Sequence, residues 1–247
     1  RADRLEWSVF SLLSTSGALP EAVVRDRAAR LVGGLSEGDA PLLDACLASY
    51  RSRSSSPDRV ATDEELGRRS NEHAEVVGLL ADLGHRLGMS VAIGEREASR
   101  PVRGRPLAER LTPAEREASL ASLLRAPAEV AAEIDCAWYV RSRGTFLFEV
   151  EWTGIVSEAL LRRGSRIPNV ERLVRFLVLA PERAELVRLK LARSPLLRTA
   201  MERDNWHILT WENLGAFASR ERPDLDDLEP YLGLGAPDAG DQLALFD

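Results

Sequence analysis

Apolar positions recur every three or four residues through the first fifty residues, then in alternation or in unbroken runs through the second half. The first spacing is that of amphipathic helices and the second that of strands. Leu5, Val9, Phe10, Leu12 and Leu13 share one helical face, which Ser16-Gly17 interrupts, and Pro20 opens a second helix that runs through Leu31-Val32. Gly33-Gly34 stops it, and a third helix covers 39–50 with Leu42, Leu43, Cys46 and Leu47 inside. The Ser- and Arg-rich run 51–63 reads as a linker. A long helix follows over 63–87, its apolar face carrying Ala74, Val77, Leu80, Ala81, Leu83 and Leu87, and Gly88 ends it. Residues 89–93 predict a short strand, 96–111 a loop, and the Thr-Pro-x-Glu at 112–115 a capped helix over 113–124.

The next stretch reads as strands at 133–140 (EIDCAWYV) and 145–152 (TFLFEVEW), joined by a polar turn at 141–144 as a hairpin or as neighbours in one sheet. A helix at 155–163, a buried strand at 173–179 (LVRFLVL), a helix at 181–191, a strand at 206–210 and a helix at 211–216 complete the pattern. This order predicts a mixed α+β domain, a mixed sheet flanked by helices. The expected organisation is a helical unit with its linker at 1–62, the sheet domain at 63–220 and an acidic, flexible tail at 221–247, whose Gly/Pro-rich composition rarely folds alone.

Composition narrows the function classes. No apolar run among the 247 residues approaches a membrane span and none has signal-peptide architecture, so a cytoplasmic protein without membrane contact is expected. Two distant cysteines, Cys46 and Cys136, exclude a disulfide scaffold or a cysteine-rich zinc site. His73, His85 and His207 form no HExxH-type cluster. A net charge of −6 argues against coating nucleic acid by bulk attraction. Basic residues nevertheless outnumber acidic ones between 158 and 203, a local excess suited to a specific polyanion partner such as DNA. Arg162, Arg163 and Arg166, directly after the acidic strand, are the candidates for holding phosphates.

The candidate chemistry lies in the two middle strands. With period two, Glu149 and Glu151 share one face while Phe146, Phe148 and Val150 take the other. Two carboxylates side by side in an apolar strand repel each other and resist burial unless a cation or basic partner offsets them. Salt bridges to Arg141, Arg143 or Arg162 on a solvated face are the plain alternative. Asp135 is a further lone carboxylate in the neighbouring apolar run, and Glu72 or Glu75 on the long helix can add another. Oxygen donors converging from adjacent strands suit Mg²⁺ or Mn²⁺, which can activate a water against a phosphodiester.

This constellation resembles the PD-(D/E)XK restriction-endonuclease-like superfamily over roughly residues 65–217: a Glu-bearing helix, a strand with Asp, a strand with Glu-x-Lys, then a helix. Glu151 stands where Lys is usual, a variant that a minority of restriction endonucleases carry. The resemblance implies Asp135, Glu149, Glu151 and Glu72 as catalytic residues, Asp135 and Glu149 as ligands of Mg²⁺ or Mn²⁺, and DNA as the substrate of an endonuclease that often works as a homodimer. The three N-terminal helices resemble a helix-turn-helix or winged-helix core.

FEVEWT, LLRR and VRFLVLAPER also look like a restriction-type domain appended to bacterial DNA methyltransferases. With Arg rather than Met at position 1, a methyltransferase would lie upstream. No Gly-rich S-adenosylmethionine loop or [DNS]PP[YFW] tetrad occurs within the chain. A non-catalytic DNA-binding or target-recognition domain at the C-terminus of such a methyltransferase is the alternative function. The final Gln242, Leu243, Leu245 and Phe246 resemble the peptide by which replication and repair enzymes dock on the sliding clamp.

Overall fold

The run Leu173–Leu179, apolar but for Arg175, is a strand buried along its whole length, second from one edge of a five-stranded sheet. In the computed structural model, which describes residues 2–16, 19–51, 63–140, 144–152, 155–170 and 172–235, the chain opens with helices α1 (Ala2–Ser16), α2 (Glu21–Leu31), α3 (Asp39–Tyr50) and α4 (Asp63–Arg86). Strand β1 (Ser90–Ile93), the single turn α5 (Glu95–Ala98) and a small ribbon of β2 (Pro101–Val102) with β3 (Arg105–Pro106) follow. Short helices α6 (Pro113–Glu117), α7 (Leu120–Leu124) and α8 (Ala128–Ala131) lead to β4 (Cys136–Val140), β5 (Gly144–Glu151) and β6 (Leu173–Leu179). Helices α9 (Ala184–Arg193) and α10 (Pro195–Arg203), strand β7 (Trp206–Thr210) and α11 (Trp211–Ala218) complete the order.

The sheet runs β1-β4-β5-β6-β7. Its first three strands are antiparallel, with Val91 opposite Trp138 and Cys136 opposite Phe148. β6 and β7 add in parallel, with Phe148 beside Phe176 and Phe176 beside His207. One face carries an aromatic row, Trp138–Phe148 at 4.3 Å and Phe148–Phe176 at 5.0 Å between centroids. Ala74, Val77, Leu80 and Ala81 of α4 and Leu214 and Phe217 of α11 cover it. Gly84 lets that row close, because a Cβ there would fall 2.6 Å from the Trp138 ring nitrogen. The Trp138 indole N–H donates to the Leu80 carbonyl at 2.8 Å. On the other face, Leu147, Leu177 and Ile208 meet Ala159, Leu160, Val187 and Leu197. A mixed sheet between helices is therefore present, as the alternation of elements predicts.

Several details depart from the pattern-based reading. The helix expected over 113–124 is two, because Ala118 is extended and Ser119 caps a second turn while Thr112 closes a capping box on the first. The strand expected from 133 begins only at Cys136, since the amides of Glu133 and Ile134 bond back to Val130 and Ala131. The helix at 155–163 is wound partly as a π-helix, Glu158–Arg163, and α10, in a stretch left unassigned, is capped by Ser194. The tail expected from 221 is packed as far as residue 235: Leu228 and Leu232 are buried in the α4 face, and the Asn213 side-chain amide donates to the carbonyls of Tyr231 and Gly235. Residues 236–247, including Gln242, Leu243, Leu245 and Phe246, lie outside the described residues, as does most of the linker. Among the described residues no helix is long and apolar enough to cross a membrane.

The N-terminal helices share a core of Leu5, Val9, Leu13, Val24, Leu43, Leu47 and Tyr50, and Leu186 of α9 belongs to it. At that junction Glu6 is buried against two cations, pairing with Arg183 and with Lys190 at 2.6 Å. Removing Glu6 takes the shared buried anion away from two buried cations, of which Lys190 keeps Asp3 at 2.5 Å. Glu6→Ala is therefore expected to lower stability by about 3–5 kcal/mol, read as a reduced urea midpoint. A midpoint unchanged from the parent protein would show that this cluster does not tie the helical unit to the sheet domain.

Candidate active site

The pleat of β5 puts Leu147, Glu149 and Glu151 on one side and Phe148 and Val150 on the other. Asp135 lies one residue before β4, so the β4–β5 register carried one step further sets it opposite Glu149. The Val150 amide donates to Asp135 Oδ2 at 2.6 Å, which fixes the carboxylate and turns Oδ1 toward α4. There His73 Nε2 lies 3.5 Å from Asp135 Oδ1, and on the far side of the ring Nδ1 lies 3.4 Å from Glu97 Oε2 of α5. Burial alone would depress the imidazole pKa, but the Asp135 and Glu97 carboxylates outweigh it and raise the value to about 10. Burial likewise works to raise Glu97, and His73 and then Arg100 overcome it, holding the carboxyl below its ordinary range.

His73, Glu97 and Asp135 each offer one donor atom, and the three atoms lie within 4.8 Å of one another, a possible ligand set for a metal ion. Donors about 2.1 Å from an ion sit about 3–3.4 Å apart in octahedral or tetrahedral geometry, close to the 3.5 Å between His73 Nε2 and Asp135 Oδ1. An imidazole gives one ion only one nitrogen, and metal-bound histidines characteristically donate the other N–H to a carboxylate. The flanking carboxylates on Nε2 and Nδ1 match that pattern.

Beneath this triad, Arg163 answers both strand carboxylates: its Nη2 lies 2.6 Å from Glu149 Oε2 and 3.1 Å from Glu151 Oε1. Burial pushes the Glu149 carboxyl up to about 8 although Arg163 pulls it down, and Asp135 adds to the rise. Glu151 is raised by the same burial against the same guanidinium. Burial would lower Arg163, but Glu149 and then Glu151 hold it above its usual value. Two carboxylates facing one guanidinium are neutral as a group when the pair shares one proton, and burial favours that state.

These groups meet at a cleft of about 450 Å³ lined by His73, Glu97, Asp135, Glu151, Arg163 and residues of α1. Of the residues singled out in sequence, Asp135, Glu149 and Glu151 are brought together. Glu72 is not: one residue from His73 and so about 100° around the helix, it pairs with Arg68 and lines a separate cavity with Glu75, Trp152 and Trp211. Arg162 reaches the rim, paired with Glu133 at 2.9 Å and with Glu158, while Arg166 pairs with Glu129 away from the cleft lining.

Much of the remaining basic excess is committed internally. Arg175 and Arg183 are fully buried, Lys190 nearly so, and Arg198 donates to the carbonyls of Leu191 and Ala192 at the end of α9. The sequence reading missed His73 and Glu97. His73 carried a usable signal, since it lies four residues before Val77 and seven before Leu80, on the apolar face of α4. Glu97, in a single turn within an expected loop, carried none.

The Glu149 shift has a sign that can be checked. Its folded pKa, about 8, is above the ordinary 4.5, so its protonated form favours folding below pH 4.5, and that contribution fades as pH rises through 8. The stability difference between the parent protein and Glu149→Gln is accordingly expected to shrink, or to reverse against the parent, from pH 5 to about 8.5 in urea titrations. A difference independent of pH would place the proton elsewhere. Compared with known proteins, the chain matches no family model, no curated protein and no solved structure.

Proposed function

We propose that this cleft is the active site of a metal-dependent phosphodiesterase acting on DNA, a nuclease of the restriction type. The observation that carries the reading is the convergence, in one cleft, of a mixed nitrogen–oxygen ligand set with a second acidic pair and a buried guanidinium. The chain order also supports it: a helix, three antiparallel strands with Asp135 just before the second and the Glu149-x-Glu151 pair on the third, a helical turn, then a parallel strand. That is the arrangement expected of the restriction-endonuclease-like resemblance, with His73 in place of a helix carboxylate.

The ligand chemistry favours Mn²⁺ over Mg²⁺, because Mg²⁺ takes an almost wholly oxygen shell whereas the imidazole of His73 suits a later, softer divalent ion. His73 Nε2 and Asp135 Oδ1 would hold the ion, and Glu97 would orient the imidazole through Nδ1–H. When bound, such a cation polarises a phosphoryl oxygen and lowers the pKa of an attendant water. Glu151 lines the cleft beside the proposed ion site, where its carboxylate is placed to accept a proton from an attendant water. Arg163, held in place by Glu149 and Glu151, presents a guanidinium to a phosphate, and Arg162 extends positive charge along the rim.

A second reading has one observation in its favour. Arg163 already neutralises the acidic pair, and Glu151 stands where the nucleases it resembles usually carry a lysine, which suits a copy of the fold that binds DNA without cutting it. Plasmid cleavage in Mn²⁺ and in Mg²⁺, together with calorimetric Mn²⁺ titration, separates the two. Cleavage is expected in Mn²⁺ and lost in Asp135→Ala. His73→Ala is expected to weaken Mn²⁺ binding at least on the order of tenfold, and Glu72→Ala to leave binding and cleavage unchanged. DNA binding with no cleavage in either metal would establish the second reading, and Mn²⁺ affinity indifferent to His73 would remove the proposed centre.

A further inference from the structure

We infer that Trp7 and Phe10 of the N-terminal helix form a stacking site for an unpaired nucleobase, so that the cleft takes a single-stranded or flipped-out nucleotide rather than intact duplex. Both rings line the cleft that holds His73 and Asp135. They stand three residues apart on one face of α1, and their rings meet edge to face at 5.8 Å and 72°. Trp7 is 51% exposed, so a broad aromatic face remains uncovered at the cleft.

Its orientation is fixed from behind. The adjacent Glu6 is buried against Arg183 and Lys190, which sets the rotation of α1 and leaves Trp7 facing outward beside the acidic centre. The helix therefore presents Trp7 by the same contacts that attach it to the sheet domain.

Size and charge select the occupant. A cleft of about 450 Å³ is of the scale that encloses a small molecule, and a duplex has no way to enter it without extruding a nucleotide. At the rim, Arg96 and Arg162 share the Glu133 carboxylate, at 3.0 and 2.9 Å, with side chains 70% and 49% exposed. Guanidinium groups exposed to that extent can turn to a phosphate, although the Glu133 side chain they share is only 15% exposed. A planar face and exposed guanidinium groups around one cleft together match a nucleotide, whose base and phosphate are the two complementary parts.

The inference deepens the phosphodiesterase reading and rests on it for the identity of the ligand. Its test is binding without turnover. Fluorescence anisotropy in EDTA would compare the full chain on a labelled 12-nucleotide single strand, the same strand with abasic sites, and the blunt duplex. The intact single strand is expected to bind on the order of tenfold more tightly than the abasic strand, with the duplex weaker than the single strand. Trp7→Ala, at a half-exposed position, should fold normally by circular dichroism yet lose the preference for bases. Trp7→Phe should keep most of the preference while losing the quenching of intrinsic fluorescence that accompanies binding.

Equal affinity for the intact and abasic strands, a Trp7→Ala protein that still prefers bases, or no binding to any strand overturns the stacking site. Manganese-dependent plasmid cleavage in that event leaves the phosphodiesterase reading standing alone. Base-dependent binding that requires Trp7 without any cleavage would instead retain the stacking site and remove the hydrolase.

Discussion

Glu149 and Glu151 stand two residues apart on one strand, so the pleat aims both carboxylates, about 7 Å apart along the backbone, at the same covered side of the sheet. Either anion left alone there would be destabilising by several kcal/mol. The chain meets that constraint within the next twelve residues by bringing Arg163 back over β5. A π-helical turn does this: Arg163 points inward to the strand carboxylates while its neighbour Arg162 points outward to Glu133 and Glu158. Gly164 lets the turn close, because a Cβ there would stand 2.9 Å from the Ala159 carbonyl and 3.0 Å from the Trp206 ring. The departure from ordinary α-helix sits where the two strand carboxylates meet their guanidinium, in keeping with the frequent placement of π-turns at functional sites.

A second charged cluster performs the comparable task for the N-terminal helices, and aromatic rings connect the two. The Arg183 guanidinium lies over the Tyr50 ring at 5.6 Å, and Arg69 of α4 lies 5.3 Å from that ring and 5.1 Å from Trp152. Trp152 directly follows β5 and lines the cleft. Cation–π contacts at desolvated sites contribute about 2 kcal/mol each, so the succession Arg183, Tyr50, Arg69, Trp152 couples the helical unit to one wall of the site. The three helices that resemble a separate DNA-reading unit in sequence are therefore continuous with the cleft.

Much of the scaffold was legible because it rests on local pattern. The run at 173–179 reads as buried because every side chain in it, including Arg175, is enclosed, and the Thr112 capping box is visible in four letters. Asp135 and the Glu149-x-Glu151 pair stood out because carboxylates in apolar strands demand a reason. The partners of those carboxylates were not legible, because they come from elements distant in sequence. Arg163 was singled out for phosphate, yet its distances show a guanidinium serving two glutamates first. Glu72 was expected as the helix carboxylate, but the 100° that separates adjacent helical residues turns His73 rather than Glu72 toward Asp135. The tail misled by composition: its few apolar residues, Leu228 and Leu232, suffice to pack it against the sheet domain as far as residue 235.

The charge distribution explains why a chain of net charge −6 would need aromatic contacts to hold a polyanion. Arg175, Arg183 and Lys190 are inside, and Arg193 and Arg198 donate to backbone carbonyls. Part of the basic excess between 158 and 203 thus serves the fold's interior and its backbone carbonyls. At physiological ionic strength charges act over about 8 Å, so attraction is confined to the rim arginines and the immediate site. Five arginines and five carboxylates line the cleft, which leaves no large positive surplus to draw DNA in. Under those conditions the proposed nucleic-acid affinity would draw on contacts indifferent to net charge. Base stacking is of that kind, and Trp7 stands where a base would be placed against the acidic centre.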